Sequence, residues 1–118
     1  MHAELNFLGI LDTLLRRANL TYHAYLKSGK RFLYAKILKE TNEGIRALLI
    51  QNTHLLPASQ IDNSLALLHH LDVWCTIWQQ VYEHEQPDNL SIFVFENSVN
   101  YPLSEVSNLM EYYAQLER

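Results

Sequence analysis

Between Ala47 and Glu117 the sequence contains no lysine and no arginine, although nine such residues occur among its 118. Eight of the nine lie between Arg16 and Arg46, and the ninth is the terminal Arg118. Residues 1–46 therefore carry eight positive against four negative side chains, a balance of +4, and residues 47–118 carry one against nine, a balance of −8. A chain this polarised either attracts its own two halves or seeks a partner of opposite sign. The first effect is weak, because exposed charge pairs contribute only about 0–1 kcal/mol each. A net charge of −4, with no recognition-helix motif, zinc knuckle or basic stripe interleaved with exposed aromatics, disfavours nucleic acid as that partner. A protein partner, or a second copy meeting basic face to acidic face, is the expectation.

Other scarcities narrow the class further. One cysteine, Cys75, excludes an intramolecular disulfide and fits a reducing compartment, so a cytoplasmic location is expected. The longest apolar runs, such as Ala47 to Ile50 and Ile92 to Phe95, are far shorter than the roughly 18–20 residues a membrane span needs, so no membrane partner is expected. The opening MHAELNFLGILDTLLRR has no basic stretch before its apolar residues and carries Glu4 and Asp12 inside, which argues against a signal peptide. No Gly-rich phosphate loop, G-x-S-x-G, H-E-x-x-H or EF-hand pattern occurs. Three glycines and three prolines leave long uninterrupted segments. With 48% hydrophobic and 19% charged residues, the chain reads as one folded domain spanning residues 1–118.

Hydrophobic spacing gives the elements. From Ala3 to Lys27, Leu8, Leu11, Leu15, Ala18, Tyr22 and Tyr25 recur at three- and four-residue steps, and Ser28 and Gly29 end the helix. From Lys30 to His54, Tyr34, Ile37, Leu38, Thr41, Ile45, Leu48 and Leu49 share a face, with Gly44 flanking it where a neighbouring helix would come close. A third helix over Gln60 to Glu85, with Ser59 as N-cap, turns Leu67, Leu71, Trp74 and Trp78 inward. A last helix from Leu103 buries Val106, Leu109, Met110 and Tyr113. Residues 90–101 fit either a short helix capped by Asp88 or an extended segment laid across the bundle end. The fold expected is all-α: a four-helix, mainly antiparallel bundle with a short irregular or helical insertion before the last helix.

The densest group of chemically capable residues is HHLDVWCTIW, residues 69–78. On a helix, neighbours diverge by about 100°, so His69 and His70 cannot aim at one ion, and His69 with Asp72 falls on the outer face. No metal and no cofactor is expected. Cys75 has no basic residue near it in sequence to activate it, although the fold can bring one from the first hairpin. His70, Trp74 and Trp78 are the candidates for a ligand pocket between helices, and the indole N–H groups need acceptors such as Thr41 or Asn52. Arg16, Leu20, His23 and Lys27 fall on one arc of the first helix opposite its apolar seam, continued by Lys30 and Arg31. These six form the candidate protein-binding face, with Leu20 as an apolar anchor in a basic surround.

RRANLTYH, residues 16–23, contains an arginine and a histidine at the spacing of the R-x(4–6)-H signature, and in this the chain resembles the HEPN family of all-helical domains. That resemblance implies a metal-independent ribonuclease or toxin–antitoxin component, with Arg16 and His23 as its catalytic pair at a dimer face. The chain departs from the family in carrying the motif on its first helix and in lacking the polar residue that usually follows the arginine. The reading from charge is a non-enzymatic protein-binding or regulatory module, self-associating through its oppositely charged faces.

Overall fold

The first turn of the chain is set by Gly29, whose φ of 82° is the left-handed conformation a helix end favours and side chains resist. In the computed structural model, which describes residues 2–118, helix α1 (His2–Lys27) ends there. The amide of Lys30 bonds the carbonyl of Tyr25 at 2.8 Å and that of Gly29 bonds Leu26 at 3.2 Å, the Schellman pairing that satisfies the last helical carbonyls. Helix α2 (Phe32–Asn52) returns antiparallel and tightens into a 3₁₀ turn over Thr53–Leu55. Helix α3 spans Ala58–Glu85, and α4 spans Leu103–Glu117. Each helix packs on the next, and α1 packs on α4, closing a four-helix bundle 44 Å long and 22 Å across.

The structure differs from the sequence expectation at two points. Helix α3 starts at Ala58 behind Pro57, with no side-chain cap. Ser59 is thus inside the helix, because proline's fixed φ suits the helix entry without a hydroxyl. Gly44 flanks no close approach: a Cβ there would meet only Leu14 Cδ1, at 4.0 Å.

Residues 86–102 contain no helix; after a turn at 89–91 the chain runs extended over 92–97 and bends at 98–99 beside the middle of α3. Asp88 caps no helix. Its carboxylate accepts from the amides of Leu90 and Ser91 at 2.9 and 3.1 Å, a turn that redirects the chain. The backbone then pairs with the α1–α2 turn: Phe32 N–H donates to the Ser91 carbonyl and Phe93 N–H to that of Lys30, making an isolated antiparallel bridge between Arg31 and Ile92. Alternation follows from the extended backbone. Phe93 is buried and Phe95 half-buried, while Ile92 and Val94 face out.

Two apolar clusters result. The lower one joins all four helices through Phe7, Leu11, Ile45, Leu49, Leu67 and Leu109. In the upper one Phe32, Ala35 and Trp78 close on Phe93, so an extended segment stands where a longer α4 would lie. α3 has 28 residues and α4 only 15, so α4 covers about half of its neighbour's length. Tyr112 of α4 donates a hydrogen bond to Glu4, fixing the far end of α4 against the start of α1.

Candidate functional site

Neither α4 nor the extended segment fills the middle of the bundle. The gap is a cleft of about 600 Å³ lined by α1, α2 and α3, with Tyr101 and Leu103 at its mouth. Its floor is apolar: Leu38, Ile45, Leu67 and Leu71. Tyr22, which the helical spacing places on the α1 seam, is half exposed at its edge. The physical reason is that α4 begins too low to cover it.

His70 is 9% exposed and lines this cleft beside Trp74. Its Nδ1 lies 2.9 Å from the Val99 carbonyl oxygen. A carbonyl only accepts, so the Val99 bond assigns the proton of the neutral ring to Nδ1 and the lone pair to Nε2, and Asn97 Nδ2, which stands 3.2 Å from Nδ1, then donates to the His70 carbonyl instead. Asn97 completes the junction: its Nδ2 donates to the His70 carbonyl at 3.3 Å and its Oδ1 accepts from the Val99 amide at 3.1 Å. The Tyr101 ring stands edge-on to the imidazole, with centroids 5.3 Å apart. Asn42 of α2, which the spacing argument did not single out, is only 8% exposed and also lines the cleft. Its side chain makes no hydrogen bond among the described residues, yet no buried side-chain polar atom there lacks a partner, so its amide must be reachable from the cleft. A polar residue on an otherwise apolar α2 face was the signal available in the sequence.

Trp78 does not belong to this cleft. It is buried in the upper cluster against Phe32, Tyr82 and Phe93, with Lys39 Nζ 4.5 Å above its ring. Its indole N–H donates to the Ala35 carbonyl at 3.2 Å, not to Thr41 or Asn52. Thr41 instead bonds Ile37 and Asn52 bonds Leu48, each to the carbonyl one turn back. The α2 register puts Ala35, not those two residues, level with the upper half of α3.

Cys75 is half-buried in a charged groove between α2 and α3, with Lys39, Glu43, Arg46 and Asp72 around it. The fold does bring basic residues from the first hairpin. Burial and the Glu43 carboxylate nevertheless push the thiol up to about 11, outweighing the opposite pull of Arg46 and Lys39. At neutral pH it is a thiol and a poor nucleophile. Among the described residues no three His, Cys, Asp or Glu side chains converge on a point that could hold a metal ion, and no helix is long and apolar enough to cross a membrane.

The six residues of the basic arc, Arg16, Leu20, His23, Lys27, Lys30 and Arg31, are all exposed, Leu20 at 73%. Arg31 is partly committed, since its guanidinium donates to the Leu90 carbonyl. Arg16 pairs with Asp12 one turn back at 3.0 Å. Arg16 and His23 lie two turns apart on the outer surface of α1, about 10 Å along its axis, and neither lines the cleft. Compared with protein-family models, curated proteins and solved structures, the chain matches none.

Proposed function

We propose that this chain is a non-enzymatic, cytoplasmic helical-bundle module that binds protein through oppositely charged faces and pairs with a second copy of itself. The observation that carries this reading is how little of the charge separation is used inside the molecule. Among the described residues one ion pair, Arg46 with Asp72, links the basic hairpin to the acidic one. The other two, Arg16 with Asp12 and Lys39 with Glu43, lie within single helices. Arg17, Lys27 and Lys30 make no side-chain hydrogen bond or ion pair among these residues, and Glu111 and Glu117 on α4 are exposed and in no ion pair. Attraction between the two hairpins therefore accounts for little of the asymmetry.

The arrangement of helices favours self-pairing. The basic arc from Arg16 to Arg31 lies toward the turn end of α1, whereas acidic α4 runs back to the start of α1, where Tyr112 bonds Glu4, so under a two-fold axis the basic arc of each copy can meet α4 of the other. A surface carrying both signs in separate patches is self-complementary. Exposed Leu20 gives the contact an apolar anchor. Sedimentation velocity at about 50 mM and about 500 mM salt, which shortens the screening length roughly threefold, tests this. Association that weakens with salt is the expected result; a monomer at every concentration and salt level contradicts the self-association.

A further inference from the structure

We propose that the mid-bundle cleft binds a small, uncharged, flat molecule with an amide-like hydrogen-bonding edge. Three observations carry the inference, none of which depends on the charged faces. First, the volume of about 600 Å³ lies within the range of roughly 300–1,000 Å³ that holds small ligands. Second, two largely buried polar groups on different helices line a space whose other walls are apolar apart from exposed Asn19 and the hydroxyls of Tyr22 and Tyr101. Asn42 on α2 is nine-tenths buried with its amide unpartnered, and His70 on α3 has Nδ1 committed to Val99 and Nε2 uncommitted. Third, no lysine, arginine, aspartate or glutamate lines the cleft.

The ligand chemistry follows from these groups. An ionised molecule would lose its hydration with no opposite charge to replace it. A neutral primary carboxamide offers one N–H to His70 Nε2, while its other N–H and its C=O match the acceptor and donor of Asn42. Trp74, Tyr22 and Tyr101 supply the aromatic walls that a flat ring packs against. The Asn42 amide bonds no other group of the bundle among the described residues, so it is open to a partner entering the cleft. A leucine there would match the apolar neighbours Leu38 and Ile45.

Titration of the full chain with naphthamide, followed by heteronuclear NMR, tests the proposal, with naphthoate as the charged probe of the same shape. Saturable shifts concentrated on the Asn42 side-chain amide, the His70 ring and the Trp74 indole are expected. Naphthoate should bind at least about tenfold more weakly because its charge enters unpaired. Asn42→Leu should weaken naphthamide binding by about tenfold or more while leaving the melting temperature equal or higher. A merely structural asparagine would give the reverse pattern. The proposal is overturned by shifts that do not saturate or that fall outside the cleft, by equal affinity for naphthoate, or by a folded Asn42→Leu chain that binds as well as the parent. Should that variant fail to fold, the two titrations of the parent chain still decide.

Discussion

His70 Nδ1 donates to the Val99 carbonyl oxygen at 2.9 Å, tying the middle of α3 to the chain just ahead of α4. The bond sets the height at which α4 can begin, and so leaves the cleft above Leu103 uncovered. His70→Leu would keep the apolar volume but strand the Val99 carbonyl. It is expected to destabilise the bundle by about 1–3 kcal/mol, measured by urea unfolding.

Trp78 is held by packing more than by its single hydrogen bond. Trp78→Phe loses the bond to Ala35 and part of the stacking on Phe32 and Tyr82, which should cost about 1–2 kcal/mol. Trp78→Ala opens a cavity in the upper cluster and should cost about 3–5 kcal/mol. Denaturant midpoints of the two variants separate these contributions.

Gly44 is exposed, and a Cβ there finds ordinary contact with Leu14. Gly44→Ala should therefore recover the helix-propensity cost, raising stability by about 0.5–1 kcal/mol. Gly9→Ala should gain less, because its Cβ would lie 3.3 Å from Tyr113 Oη and the ring must move slightly. Thermal melting of both variants checks the order.

Cys75 gives a pH signature. Its thiol is pushed from an ordinary 9.0 up to about 11, first by burial and then by Glu43. The folded state thus holds its proton while the unfolded chain releases it, so this contribution to stability is complete below pH 9.0 and lost as pH rises through about 11. Alkylation of the native protein by iodoacetamide should be slow near neutral pH and accelerate only toward that upper value.

Much of the fold is legible in sequence because three long segments carry unbroken helical spacing. Leu8 with Leu11, Ile45 with Leu49, Leu67 with Leu71 and Val106 with Leu109 are the buried pairs of the four helices, as their steps of three or four require. The segment around Phe93 was open to two readings because four apolar residues in a row carry no period. Only the pairing of Ser91 and Phe93 with the α1–α2 turn selects the extended form.

The candidate site was legible in part. His70 and Trp74 line the cleft, whereas Trp78, one turn beyond Trp74, does not. One turn along α3 crosses from the uncovered middle of the bundle into the region closed by Phe93, and no local pattern announces that boundary. Asn42 carries only a weak signal for a similar reason: a polar residue on an apolar face is visible in the sequence, but its neighbours decide whether it has a partner. Helical spacing places Arg16, Leu20, His23 and Lys27 on one arc of α1, Lys30 and Arg31 follow in the turn, and all six lie on the surface.

The most direct test of the charged-face account is the Lys27→Glu/Lys30→Glu double variant in sedimentation velocity at low salt. Both side chains are exposed and in no ion pair among the described residues, so folding stability should change by no more than about 1 kcal/mol. The account predicts that the variant sediments as a monomer where the parent chain associates. A variant that stays folded and associates as strongly as the parent would contradict it.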